Sequence, residues 1–185
     1  MSARHFIALP LPDEARRVLA GLTTDLPGFA WTPPEQLHVT LRFLGELDAD
    51  RCAALDSALG AIRVAPFLLP LAGVGAFPPR GHPTVLWAGL GRGHPLLFQL
   101  RQRLDDSLLA LGLNLDLRTF HPHVTLARLR PDAAPVAAEH YVKRHRDFAG
   151  PEFRVTRFTH YSSVLQPGGP LYTVEREFPL GVLGS

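Results

Sequence analysis

The sequence predicts an α+β fold built from two related halves, each with a mostly antiparallel sheet and helices on its outer side. The tetrapeptide His-Val-Thr-Leu occurs at residues 38–41 and again at 123–126, an offset of 85 residues (123 − 38). Around each copy the pattern gives the same order of strand, helix, His-Val-Thr-Leu strand, helix and strand. We therefore predict one bilobal domain over residues 1–185, with approximate internal repeats at 1–80 and 81–179.

The elements of the first half follow from apolar spacing and from the prolines and glycines between them. An apolar run at residues 6–9 predicts a strand that ends at the prolines after it. Residues 13–26 begin with two acidic residues and carry apolar residues at helical spacing, so they predict a helix. The first tetrapeptide predicts a strand to about residue 44, and residues 48–62 predict a helix with an aspartate N-cap. Residues 67–77 predict a further extended segment.

The second half repeats this order and adds one strand. Its predicted strands lie at 84–88, 123–130, 153–164 and 171–178, and its predicted helices at 97–111 and 133–145. If the two halves pack together, the two His-Val-Thr-Leu strands meet at a central groove between them.

Each tetrapeptide strand would present its polar residues on one face, because alternate side chains of a strand point in opposite directions. His38 and Thr40 would share a face in one half, and His123 and Thr125 would do so in the other. An unperturbed imidazole titrates near pH ~6.5, so one ring can be neutral while its mate is protonated. One ring could take a proton from water and the other could give one to a leaving oxygen, while the hydroxyls donate to phosphate oxygens. The residues alone do not tell the acid from the base.

The two segments at residues 38–45 and 121–128 resemble the two HxTx signatures of the 2H phosphoesterase superfamily. Within it, the chain is most similar to the RNA 2′,3′-cyclic phosphodiesterases, historically called 2′-5′ RNA ligases, over essentially its whole length. The resemblance implies hydrolysis of RNA 2′,3′-cyclic phosphodiester ends to 2′-phosphomonoesters without a metal or other cofactor. It also implies that RNA ends or nucleotides with a 2′,3′-cyclic phosphate are the partners, and that reverse ligation could occur.

The same resemblance assigns roles to the residues of both motifs. It implies that His38 is the proton donor to the leaving O3′ and that His123 is the proton acceptor that activates water. It implies that Thr40 and Thr125 hold the phosphate.

Three further residues near the motifs are less clearly placed by the sequence. The resemblance implies that Arg128 approaches the phosphate and Phe43 the nucleoside, each five positions after a motif histidine. Strict alternation puts both on the face opposite the histidines, unless a bulge or a strand end redirects them. Arg42 has the parity of His38, and it could either belong to the site or be a solvated strand residue.

A metal site is the main alternative for the histidines. His121 and His123, two positions apart, could join His38 as three metal ligands. Neither motif, however, contains a carboxylate to serve as a ligand or to orient one. His121 also precedes a proline, which indicates a role in shaping the start of the strand. We therefore predict that the site holds no metal.

Composition sets the remaining limits. A net charge of +2 permits a nucleic-acid partner without arguing for one. Cys52 is the single cysteine, so no internal disulfide can form, and its apolar helical surroundings predict a small core residue. His5 and His160 show no partner pattern and are predicted to pack or to lie on the surface. The chain carries no apolar run of signal-peptide or membrane-spanning length, so we expect a cytoplasmic monomer without a membrane partner.

Two other functions fit the same sequence. The chain could hydrolyse small cyclic nucleotides or an ADP-ribose cyclic phosphate, in which case activity should not increase with the length of the RNA. It could instead be a non-catalytic module that binds RNA ends, in which case replacing the motif histidines has no turnover to remove.

Overall fold

The computed structural model describes residues 3–116, 119–167 and 169–181. In chain order its elements are β1 (Arg4–Pro10), α1 (Asp13–Ala20), β2 (Phe29–Trp31), a 3₁₀ turn (Pro34–Gln36), β3 (His38–Glu46), α2 (Ala49–Gly60), β4 (Phe67–Ala72), β5 (Val74–Phe77), β6 (Val85–Gly89), α3 (Pro95–Ala110), β7 (His123–Leu129), α4 (Pro135–His145), β8 (Ala149–Val155), β9 (Arg157–Gln166) and β10 (Gly169–Pro179).

The strands form two sheets, and the named strand pairs are antiparallel. The larger sheet has eight strands in the order β10-β9-β1-β3-β7-β6-β5, with β2 paired to β7. The smaller sheet consists of β4 and β8. The predicted α+β class with two antiparallel sheets and a duplicated order of elements is confirmed. Among the described residues, no helix has both the length and the apolar character that crossing a membrane requires.

The strand order of the larger sheet is approximately symmetric about its two central strands. The two tetrapeptide strands, β3 and β7, are neighbours at its centre. Beyond β3 lie β1 and β9, and beyond β7 lie β6 and β5. Strand β5 of the first half therefore pairs with β6 of the second half, and strand β9 of the second half pairs with β1 of the first. This exchange ties the two repeats together on both sides of the central pair.

Two segments that the sequence predicts as single extended stretches each divide between the two sheets. The stretch at 67–77 breaks at Gly73, whose φ of 76° is a left-handed conformation that glycine adopts at little cost, and it becomes β4 and β5. The stretch at 153–164 breaks at Thr156 and becomes parts of β8 and β9. Strand β2 was not predicted, because it is three residues long and shows no alternation.

The helices cover the core with the residues that helical spacing predicts. Asp48 caps α2, since its side chain accepts a hydrogen bond from the Arg51 backbone N–H at 2.8 Å. Leu55 and Leu59 of α2 are fully buried. The apolar stripe of α3 is buried as well, and it comprises Leu97, Leu100, Leu104 and Leu108.

Arg42 forms a buried ion pair, so both sequence interpretations of this residue are wrong. Its side chain is 8% exposed, and its Nε and Nη2 donate to the two carboxylate oxygens of Asp105 on α3 at 2.6 and 2.8 Å. Arg101 donates to the same carboxylate at 3.0 Å. Burial alone would raise the pKa of the Asp105 carboxyl, but the hydrogen bonds from Arg42 and Arg101 bring that pKa below its ordinary value.

We expect Arg42→Met to lower the free energy of unfolding by about 2–3 kcal/mol, because the buried Asp105 carboxylate would lose its two hydrogen bonds from Arg42. The loss stays in this range because Arg101 would still donate to the same carboxylate. Urea unfolding measures the loss, and Arg103→Met on the exposed side of α3 is the matched control. The pair stabilises the fold fully above the ordinary Asp105 pKa of 3.8, and its contribution is lost as the pH falls through the lowered folded value. The gap between wild type and Arg42→Met should therefore narrow in acid, and a gap that widens there would contradict this account.

Candidate active site

The pairing of β3 with β7 brings the two His-x-Thr motifs onto one face of the sheet. The valines that follow the two histidines are paired directly and are fully buried. Continuing this antiparallel register by one residue places His38 opposite Thr125 and Thr40 opposite His123. Side chains directly opposite in such a pair have Cβ atoms about 4.5–5.5 Å apart, and diagonal neighbours lie about 7–8 Å apart. Two imidazoles and two hydroxyls, all half-buried, thus line one patch.

Both motif histidines are held by a hydrogen bond from Nδ1 to a backbone carbonyl. Nδ1 of His38 lies 2.6 Å from the carbonyl oxygen of Gln36, and Nδ1 of His123 lies 2.7 Å from that of His121. A carbonyl oxygen can only accept, so Nδ1 carries a proton and donates in both rings. Nε2 of each ring is then the atom available for proton transfer. In His38 this atom lies 3.0 Å from Oγ1 of Thr40, inside the patch.

The surroundings favour the neutral form of both rings. Burial lowers the pKa of His38 and of His123 below the ordinary 6.5, although the bonds to the backbone carbonyls act in the opposite direction. The positive charge of Arg128 lowers both pKa values further, and the charge of His123 lowers that of His38. A bound phosphate anion would reverse this tendency, since a nearby negative charge favours imidazolium.

A bulge in each motif strand redirects the residue five positions after the histidine. The register of β1 with β3 skips Leu41, and the register of β6 with β7 skips Leu126. Each extra residue inverts the alternation of side chains beyond it. Phe43 and Arg128 therefore return to the face of the histidines, where simple alternation would not have placed them.

The contacts of these two residues agree with that placement. Phe43 is 68% exposed, and its ring lies 6.2 Å from that of Phe6, which in turn lies 5.1 Å from the His38 ring. Arg128 is exposed and acts electrostatically on both motif histidines. The structure thus brings together all six residues that the sequence analysis assigned to the site.

Aromatic side chains border each histidine. Next to His38, the ring of Phe6 stacks on that of Tyr161 at 5.1 Å, and the ring of Tyr172 packs edge-on against that of His38 at 5.6 Å. Next to His123, the ring of Phe77 lies 5.1 Å from the imidazole ring. Tyr172 was missed by the sequence analysis, because nothing distinguishes it there from other aromatic residues in strands.

His121 borders the site without joining a three-histidine cluster. Its ring packs edge-on against Trp87 at 4.9 Å and lies 6.4 Å from that of His123. Across residues 3–116, 119–167 and 169–181, one group of three metal-ligating side chains has its ligand atoms within 4.8 Å of one another, and it lies elsewhere. His38, His121 and His123 do not form such a group among the described residues.

A cavity of about 380 Å³ opens beside His121. Its walls include Trp87, Phe98 and Phe120, together with the glycine-rich turn that contains Arg92. Aromatic surfaces and an arginine next to the motif face give this end of the site groups that can stack on a base or contact a phosphate.

The comparisons with known proteins agree on one family. Two segments of the chain, residues 9–87 and 93–172, match the model of the family described as LigT like Phosphoesterase. A protein of Geobacillus stearothermophilus named RNA 2′,3′-cyclic phosphodiesterase is 34% identical over 96% of this chain, which spans 57% of that relative. A protein of the same name from Archaeoglobus fulgidus is 32% identical over 95% of this chain and 99% of its own length. A solved structure from Thermus thermophilus superposes with a TM-score of 0.82 at 32% identity, covering 97% of this chain and 98% of the other.

We expect the imidazole pKa values of His38 and His123 to rise in Arg128→Gln, because the variant removes a positive charge that disfavours both imidazolium forms. Titration of the histidine ring resonances by NMR measures both values. Arg154→Gln, an exposed arginine of β8 in the smaller sheet, is the control and should leave them unchanged. Unaltered values in Arg128→Gln would remove Arg128 from the electrostatics of the site.

Proposed function

The chain belongs to the LigT-like phosphoesterase family, and from that premise we propose that it hydrolyses RNA 2′,3′-cyclic phosphodiester ends to 2′-phosphomonoesters by metal-independent catalysis with two histidines. The observation that carries the proposal is the central pairing of β3 with β7, which presents both motif histidines on one face with Nδ1 bound to the backbone and Nε2 left as the atom for proton transfer. The names of the Geobacillus and Archaeoglobus relatives support the substrate class.

In the proposed reaction, the two rings start in opposite protonation states. Neutral His123 takes a proton from water through Nε2, and the water oxygen forms a bond to phosphorus. The bond from phosphorus to O3′ breaks, and protonated His38 gives its Nε2 proton to that oxygen. The products are a 2′-phosphomonoester and a free 3′-hydroxyl, with His123 charged and His38 neutral. Exchange of protons with solvent restores the starting state.

Substrate binding prepares His38 for this role. The ring is biased toward the neutral form in the free protein, and the negative charge of the cyclic phosphate would favour its protonation. The same anion also acts on His123, but if the two rings together hold one extra proton, one ring is the acid and the other is the base. The acid therefore forms when the substrate is in place.

The other residues of the motif face would bind the phosphate and the nucleoside. The hydroxyls of Thr40 and Thr125 can donate to the two non-bridging oxygens, where negative charge accumulates during attack. The guanidinium of Arg128 can neutralise the same oxygens. The exposed ring of Phe43 offers a surface for the terminal nucleoside beside His38.

We expect a short RNA with a 2′,3′-cyclic phosphate end to be converted to the 2′-phosphate in excess EDTA, with the product identified by phosphorus NMR. His38→Ala and His123→Ala should each lower kcat by about 10²–10⁴, because each removes one partner in proton transfer. His140→Ala on the exposed side of α4 is the matched control and should retain full activity.

Each other outcome of this experiment points to a different account. A 3′-phosphate product would reverse the proposed leaving group, and activity that needs added Zn²⁺ or Mn²⁺ would overturn metal independence. Equal turnover of cyclic mononucleotides and oligonucleotides would favour small nucleotides as substrates. Binding of the RNA end without turnover would favour a binding module. A cytoplasmic location, a monomeric state and reverse ligation stay predictions from the sequence.

A further inference from the structure

A chain of polar side chains joins β1, α2 and β9 outside the proposed catalytic site. His5 and His160 are 7% and 0% exposed, and Nδ1 of His5 lies 2.9 Å from Nε2 of His160. Nδ1 of His160 lies 2.9 Å from Oδ1 of Asp56. Sγ of Cys52 lies 3.8 and 3.9 Å from the two ring nitrogens of His5. The predicted packing roles of these residues do not account for such a convergence.

The fold gathers the four residues from distant parts of the chain. Cys52 and Asp56 are four positions apart on α2 and therefore share one face of that helix. His5 and His160 lie on the paired strands β1 and β9, where His160 is opposite the residue two positions after His5. The side chains of this helix face and of these two strands meet in the layer between them.

Hydrogen bonding fixes the tautomers within this cluster. An ionised Asp56 can only accept, so His160 donates from Nδ1, and in a neutral His160 the other nitrogen, Nε2, carries a lone pair. That lone pair accepts the Nδ1 proton of His5. A histidine that donates one ring nitrogen to a carboxylate and keeps a lone pair on the other is typical of metal-ligating histidines.

We propose that His5, Cys52 and His160 form a Zn²⁺ site in which Asp56 orients His160. Metal binding would form a Zn–S bond as the Cys52 thiol releases its proton to solvent. It would also move the His5 proton from Nδ1 to Nε2, so that Nδ1 and the Nε2 of His160 can both bind the metal. The fourth position of a tetrahedral ion stays available to water.

The distances require little movement to accept the ion. Zn–N and Zn–S bonds of about 2.0 and 2.3 Å in a tetrahedron separate two nitrogens by about 3.3 Å and a nitrogen from a sulfur by about 3.5 Å. The present separations are 2.9 Å between the two histidine nitrogens and 3.9 Å between Nδ1 of His5 and the sulfur. All three ligand atoms lie within 4.8 Å of one another, so rotations of these side chains would bring them to the distances that the ion requires.

The charges around the cluster also favour a cation. The carboxylates of Asp56, Glu175 and Asp48 act electrostatically on Cys52. A divalent ion would neutralise this concentration of negative charge and stabilise the thiolate.

This site would stabilise the fold and would be independent of the proposed hydrolysis. It would link β1 and β9 to α2, while the next residue of β1, Phe6, packs against the ring of His38 on the catalytic side. Metal removal should therefore lower thermal stability and leave the hydrolytic chemistry intact, which keeps the test of this site separate from that of the catalytic histidines.

The test uses the tag-free, metal-stripped full chain and Co²⁺ as a spectroscopic probe. Cys52 is the only cysteine, so a thiolate-to-cobalt charge-transfer band can arise only at this residue. We expect that band to appear at one equivalent of Co²⁺ and to disappear on addition of Zn²⁺, and we expect Zn²⁺ to raise the melting temperature. Cys52→Ser should abolish the band. Asp56→Asn should keep it but weaken Zn²⁺ affinity by about 10–100-fold.

Two controls separate this site from the catalytic groove. His38→Ala should keep the Co²⁺ band and the Zn²⁺ affinity of the wild type, and Cys52→Ser should hydrolyse the cyclic phosphate at the wild-type rate. The proposal is overturned if no charge-transfer band forms and Zn²⁺ does not raise the melting temperature, which would leave a purely hydrogen-bonded cluster. It is also overturned if His38→Ala, rather than Cys52→Ser, abolishes Zn²⁺ binding.

Discussion

The site depends on one cross-strand pair, Val39 of β3 with Val124 of β7, at the centre of the larger sheet. Side chains alternate with a period of two, so pairing at these buried valines sets both histidines and both threonines on the opposite face. A slip of one residue in either strand would send its histidine into the core. The exchange of β5 and β9 between the repeats anchors the flanking strands and so helps to hold this register.

The two halves use the same backbone device but surround it differently. Each motif histidine donates Nδ1 to the carbonyl two residues before it, and each strand carries a bulge at the leucine of the motif. Beyond the bulges, the first strand presents Phe43 and the second presents Arg128. Symmetry thus gives two equivalent imidazoles, and the residues around them give a basis for a division of roles.

Spacing in the sequence was enough to predict most of the elements, the duplication and the shared face of each His-x-Thr pair. It could not place the bulges at Leu41 and Leu126, because a bulge is defined by the register of the neighbouring strand. The ion pair of Arg42 could not be predicted either, because its partner Asp105 lies 63 positions away in the sequence. The cluster of His5, Cys52 and His160 was missed since no local pattern links three positions so far apart.

In the proposed mechanism, two equivalent strands supply one general acid and one general base. The kcat values of His38→Ala and His123→Ala on two substrates that differ in their leaving group test this division of roles most directly. A p-nitrophenyl phosphodiester releases an oxygen that needs no proton, whereas the cyclic phosphate does need one. We predict that His38→Ala is far less impaired on the aryl substrate than on the cyclic phosphate, while His123→Ala is impaired on both. Equal losses for both variants on both substrates would contradict the assignment of separate roles.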